Sequence, residues 1–233
     1  MKVAIISVGY LREFDKIRPI HKLIPKKHKI KTFIYCADRV GDPASEMKDN
    51  ILNEQQVARF YKKYGEVTIH MVDYYKRKIW FNKDELGIVN SIYSPSDRYI
   101  SFLQGLSEAL EKFSREIIKF DRVIFARPDM EYKWYFLNKI KYRNLIFQNK
   151  NFNPSAIYST KKHFISLTGS WFDYRLFSFD PTKLSLDFLS KDKLYKHIKW
   201  MISLELPLFP EIVLGLFFHK QGIPVSTPSR YYK

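Results

Sequence analysis

Apolar residues in the first half of the chain fall into two alternating rhythms. "VAIISVGY" (3–10) and "IKTFIYC" (30–36) are short continuous apolar runs, the pattern of strands buried on both faces. "NEQQVARFYKKYG" (53–65) changes to helical spacing, with Gly65 placed as its stop. "VTIHMVDYY" (67–75) predicts a third strand. In "SPSDRYISFLQGLSEALEKFSREIIKF", Ser94 can cap a helix, Pro95 can open it and Asp97 lies near its positive end. Ile100, Leu103, Leu106, Leu110, Phe113 and Ile117 then recur at three- and four-residue steps. "DRVIFAR" (121–127) predicts a fourth strand.

The second half is less regular. "NLIFQ" (144–148), "SAIYS" (155–159) and "WFDYRLFSFD" (171–180) read as strands, and 184–206 as one or two helices. "PEIVLGLFFHKQG" (210–222) predicts a largely buried helix, started by Pro210 and stopped by Gly222. Alternating strands and helices imply an α/β fold with a mostly parallel central sheet flanked by helices. No repeat, low-complexity tract or linker divides the sequence, so a single domain over 1–233 is expected.

Composition narrows the class. The 233 residues are 45% hydrophobic, with 16 Tyr and 19 Phe, enough to build a substantial core and to argue against disorder. Lys and Arg outnumber Asp and Glu by 40 to 24, and a net charge of +16 attracts anions: nucleotides, nucleic acids, acidic lipids or acidic glycans. The lone cysteine, Cys36, excludes an intrachain disulfide and is expected to pack as a small buried hydrophobe in a reducing compartment. "MKVAIISVGYL" lacks a small-residue cleavage site and reads as strand rather than signal peptide. No stretch reaches the roughly 18 apolar residues of a membrane span. A cytoplasmic location is expected.

Candidate chemistry gathers at strand ends, where ligands bind in open α/β sheets. The strand 121–127 ends in "RPDME", delivering Arg127, Asp129 and Glu131. Alternation can put these three on one face, and Asp129 with Glu131 forms a D-x-E pair suited to Mn²⁺ or Mg²⁺ holding a diphosphate. Arg127 can pair with a carboxylate or a phosphate. The plainer alternative is a polar strand end with solvated charges. Gly9 closes the first strand and permits close approach of a ligand, with Arg12 at an anion site where a helix can begin, or the segment is an ordinary strand-to-helix turn with a surface arginine. "CADRVGD" (36–42) offers Asp38, Arg39 and Asp42 to a base or ribose, or is simply a polar loop. In "TGSWFDYRLFSFD", Asp173 beside Gly169, Ser170, Trp171 and Arg175 is a candidate general base toward a hydroxyl, or a solvent-side Asp among core aromatics. Glu211, the one acid in an apolar helix, either complements the helix dipole or binds an acceptor hydroxyl.

Several classes are set aside. There is no G-x-G-x-x-G, P-loop or G-x-S-x-G motif. The six histidines show no zinc spacing; His163 and His219 are either extra metal ligands or solvated side chains. The basic runs 26–31 and 191–200 are either solvated faces or contacts to phosphate or an anionic membrane.

The order of these features, "VAIISVGYLREF", a long helix feeding "FDRVIFARPDM", then "WFDYRLFSFD" and "PEIVLGLFFHKQGIPV", resembles the GT-A type glycosyltransferases. The likeness is to small enzymes of bacterial surface-polysaccharide and large-virus glycan synthesis. It implies a GT-A-like domain whose first half (1–131) binds a nucleotide-diphosphate sugar and whose second (132–233) binds a glycan or lipid-linked glycan acceptor. By the same resemblance Asp129 contacts the metal and the diphosphate, and Glu131 replaces the second Asp of a strict D-x-D. Gly9, Tyr10 and Arg12 line the nucleotide pocket, Asp38 touches the nucleoside, and Asp173 is the base of an inverting enzyme. The ion is Mn²⁺ or Mg²⁺, dispensable in some members of the family. The rival classes are a basic nucleic-acid-binding protein and a membrane-peripheral scaffold using 191–200. No nucleic-acid motif appears, so nucleic acid is not an expected partner, whereas peripheral membrane contact is compatible with the transferase.

Overall fold

The computed structural model of the chain describes residues 1–11, 14–16, 19–39, 51–73, 76, 97–128, 146–148, 172–182, 184–204, 206, 208 and 210–223. Among these residues six strands form one sheet in the order β3-β2-β1-β4-β6-β5. They are β1 (Lys2–Gly9), β2 (Lys29–Ala37), β3 (Glu66–Val72), β4 (Arg122–Ala126), β5 (Ile146–Gln148) and β6 (Phe172–Phe179). The first four run parallel, and β6 is antiparallel to both neighbours. The α-helices among the described residues are α1 (Glu54–Lys62), α2 (Asp97–Ile117), α3 (Lys191–Ser203) and α4 (Pro210–Lys220). This is the mostly parallel α/β architecture flanked by helices that the alternation of strands and helices predicts. The Ser94 cap with Pro95 and the strand 155–159 lie outside the described residues.

Side-chain alternation divides the core between the two sheet faces. On one face Ala4, Ile6 and Val8 of β1, Phe33 and Tyr35 of β2, and Val123 and Phe125 of β4 pack against α2, α3 and α4. On the other, Ile34 and Cys36 of β2 meet Leu11, Phe14, Val57 and Tyr61. Six consecutive buried residues, Val3 to Val8, explain why β1 reads as an unbroken apolar run. Each fully buried large apolar side chain stabilises the fold by roughly 1.5–3 kcal/mol. Helix α4 is buried from Ile212 to Phe218, as a helix apolar on all sides must be. It closes with the Ile223 N–H donating to the Phe218 carbonyl and the Gly222 N–H to that of His219, the paired bonds of a Schellman end.

Local chemistry sets the boundaries. Asn53 caps α1, accepting the Gln56 N–H at 3.2 Å. β3 ends at Val72, short of the expected residue 75, because the Asp73 carboxylate accepts the Lys76 N–H at 3.1 Å and turns the chain. The expected helical stretch 184–206 contains one helix, α3, preceded by a turn in which Asp187 accepts from Ser185 and pairs with Lys193. Lys31 ties β2 to α2 through Glu116 at 2.7 Å.

Gly65 fills a position closed to other residues. Its φ is +151°, and a Cβ there overlaps the Ile30 carbonyl oxygen. Gly65→Ala is therefore expected to lower stability by roughly 3 kcal/mol or more in urea unfolding, and an unchanged midpoint contradicts this packing.

Two buried imidazoles make the fold acid-sensitive. His21 Nε2 lies 2.7 Å from Thr32 Oγ1 against the rings of Tyr61 and Tyr64, and burial lowers its pKa from 6.5 to about 4. His197 Nε2 donates to the Val213 carbonyl at 3.1 Å, joining α3 to α4; burial again lowers its pKa to about 4, against the opposing pull of that bond. Between pH 6.5 and 4 the unfolded chain takes up protons that the folded chain refuses. Stability is then fully present above the unfolded pKa and falls as pH drops through this window, by up to roughly 3 kcal/mol per histidine. Denaturant melts across pH 4–7 are expected to show that slope, flattened by His21→Gln or His197→Gln; a slope unchanged from that of the unsubstituted chain in both variants contradicts the assignment.

Candidate functional site

The shared direction of β1 to β4 sends four carboxyl ends to one edge of the sheet. Register aligns them: Gly9 lies level with Cys36, and Cys36 with Met71. Ala37 pairs with Val72 one row on, and Asp38 and Asp73 follow directly beyond. The Asp38 N–H donates to the Val72 carbonyl at 2.9 Å and its carbonyl accepts the Leu52 N–H at 2.8 Å, so the backbone is held past the strand end. Arg39 forms an isolated antiparallel bridge with Ile51, and its Nε is 3.9 Å from Asp38 Oδ1.

Charges on the β2–β3 side of this edge compensate one another. Lys76 Nζ lies 2.9 Å from Asp73 Oδ2, and its pKa is raised chiefly by that hydrogen bond and also by the field of Asp38. With Asp38 beside Arg39 and Asp73 beside Lys76, these carboxylates already have cationic neighbours. The described residues contain no cluster of three His, Cys, Asp or Glu groups able to hold a metal. The sequence expectation of a divalent ion rests on Asp129 and Glu131, a D-x-E pair whose hard oxygen donors suit Mn²⁺ or Mg²⁺. Both lie outside the described residues, as do Arg12, Asp42, His163 and 169–171.

The β1–β4 side turns at a glycine. Gly9 has φ +119°, and a Cβ built there meets no atom of the described residues within 4 Å. The backbone thus turns through a conformation that favours glycine, and among the described residues no side chain covers it. Tyr10 follows it, half-buried. Arg127 and Pro128, also half-buried, leave β4 directly after Ala126.

β6 returns the chain to the same edge. Ala126 pairs with Leu176, so the residues of β6 preceding Leu176, down to Phe172, run past the end of β4. Asp173 lies in that stretch, and Gln148 of β5 pairs with its neighbour Phe172. Gly9, Tyr10, Asp38, Arg127 and Asp173 are thereby brought to one edge in backbone terms. Glu211 occupies the first turn of α4, which packs on β6; the side chains of Asp173 and Glu211 are outside the described set. His219 is exposed in the last turn of α4. Cys36 is buried as expected, and burial pushes its thiol up to about 12, so it stays protonated at neutral pH.

One row below the edge lies a polar cluster that sequence reasoning missed. Tyr35 donates its hydroxyl to Glu108 Oε2 at 2.8 Å, and Gln104 Nε2 donates to Glu108 Oε1 at 2.7 Å. The His70 ring stands 5.2 Å from that of Tyr35, with its pKa lowered first by burial and then by Lys112. The cluster fixes α2 on β2 directly beneath the strand ends. The Asp73–Lys76 pair was also missed, although Asp73 obeys the rule that singled out Asp38: the first charge after an apolar run.

No protein-family model matches the chain, and no curated protein matches it. Among solved structures, the apo form of mouse xyloside xylosyltransferase 1 is similar over 98% of this chain and 85% of that one, at 8% identity and a TM-score of 0.46. So distant a likeness carries no conclusion about chemistry.

In a double-mutant cycle, Tyr35→Phe and Glu108→Gln are expected to couple by roughly 0.5–1.5 kcal/mol, measured by urea unfolding. Strict additivity of the two variants contradicts the hydrogen bond.

Proposed function

We propose that the chain is a glycosyltransferase moving a sugar from a nucleotide-diphosphate donor to the hydroxyl of a glycan or lipid-linked glycan. The observation that carries this reading is the pairing of β4 with β6. It returns the stretch containing Asp173 to the edge where β4 delivers Arg127 and leads into Asp129 and Glu131. Base and leaving-group chemistry need this proximity, since the acceptor oxygen attacks the carbon that the diphosphate leaves.

In this reading residues 1–131 hold the donor and 132–233 the acceptor. Gly9, Tyr10 and Arg12 line the nucleotide pocket, where a glycine at the strand end permits close approach. Asp38, held by Val72 and Leu52, meets the nucleoside. Arg127 pairs with the diphosphate, and Asp129 with Glu131 supplies oxygen ligands to Mn²⁺ or Mg²⁺. The bound ion would offset the charge of the departing diphosphate. Asp173 takes the proton from the acceptor hydroxyl as its oxygen bonds to the sugar, and Glu211 orients that hydroxyl.

The test is release of nucleoside diphosphate from a panel of nucleotide sugars, with candidate glycans present. Asp173→Asn is expected to lower transfer roughly 100-fold or more while donor binding persists. Asp129→Ala is expected to weaken donor binding itself. Full transfer by both variants overturns the assignment.

A further inference from the structure

A second surface lies on α3 and the end of α4. Leu194, His197, Ile198 and Met201 are buried along one side of α3. At about 100° per residue, Tyr195, Lys199, Lys196 and Trp200 share an outward arc about 140° wide. Lys196 and Lys199 are exposed, and Tyr195 and Trp200 are half-buried. Lys220 joins from α4, its Nζ 3.9 Å from the centre of the Trp200 ring, while Lys199 Nζ lies 4.7 Å from that of Tyr195. Leu204, 43% exposed, follows directly after the helix. The exposed acid of this arc is Asp192. Lys193 is engaged by Asp187 at 2.8 Å, whereas Lys196, Lys199 and Lys220 form no ion pair among the described residues.

Cations interleaved with partly exposed rings and an exposed leucine match the depth profile of an anionic bilayer surface. Lysine ammoniums reach lipid phosphates along their own apolar stems, and amphipathic rings sit at headgroup level. A nucleic acid would use the ring faces for base stacking, and here those faces carry lysine ammoniums. No helix among the described residues is long and apolar enough to cross a membrane, so the contact is peripheral. We propose that the outward face of α3, with Lys220, docks on an anionic lipid bilayer. This goes beyond the transferase assignment and does not depend on it.

Flotation of the whole chain with phosphatidylcholine vesicles, with and without roughly one-third phosphatidylglycerol, tests the proposal. Binding is expected only to the anionic vesicles, weakening with salt. Replacing Lys196, Lys199 and Lys220 by Gln should lower partitioning roughly five-fold per lysine, while replacing all three by Arg should preserve it. Trp200→Ala with Leu204→Ser should remove the binding that survives at high salt, and Asp173→Asn should leave flotation unchanged. Equal binding to neutral vesicles, no flotation, or an unaffected triple Gln variant overturns the proposal. Tight binding to an RNA oligonucleotide without flotation also overturns it, assigning the surface to a phosphate polymer instead.

Discussion

The arrangement depends on the register of β1 between β2 and β4. Backbone hydrogen bonding aligns Val8 with Tyr35 and Ile6 with Phe125, and every candidate group at the edge is positioned by counting from those pairs. A slip of β1 by one residue would exchange its two faces, taking Ile6 and Val8 out of the large core. The apolar load on both faces locks the register, so the core and the candidate site share one constraint. The reversal at β6 depends on it too, because β6 pairs with β4, which pairs with β1.

Charge is distributed with the same economy. Although the chain is strongly basic, several cations at the sheet have structural partners: Lys31 holds Glu116, Arg39 stands by Asp38, and Lys76 turns the chain with Asp73. Gly9 closes β1 with a positive φ and no described atom against its Cβ position, and Arg127 follows directly after β4. In the proposed function these two strand ends receive the diphosphate.

Much of the fold was legible from sequence because burial on both faces leaves unbroken apolar runs. Strands β1, β2, β4 and β6 fall within a residue or two of their expected limits, and Pro210 and Gly222 mark α4. The overrun at β3 has a physical origin: Tyr74 and Tyr75 have strong strand preference, while the turn made by Asp73 depends on Lys76. The antiparallel direction of β6 was not legible, since alternation carries no sign of strand direction. Nor was the Tyr35–Glu108 bond, because Tyr35 lies inside an apolar run and its partner stands 73 residues away. His21 likewise gives no periodic signal, and its burial follows from contacts to Thr32, Tyr61 and Tyr64. Of the candidate site, Gly9, Asp38 and Arg127 are legible as a turn or charges closing apolar strands, Asp173 as a carboxylate among aromatics, and Tyr10 only through the family resemblance; the sheet brings them to one edge in backbone terms.

The most direct test of the central claim is calorimetric titration of the purified chain with UDP, GDP, CDP and dTDP, each with and without Mn²⁺. The account predicts selective binding of one nucleoside diphosphate, strengthened by the ion and weakened by Arg127→Ala. Absence of binding to all four would contradict a nucleotide-sugar site at this edge.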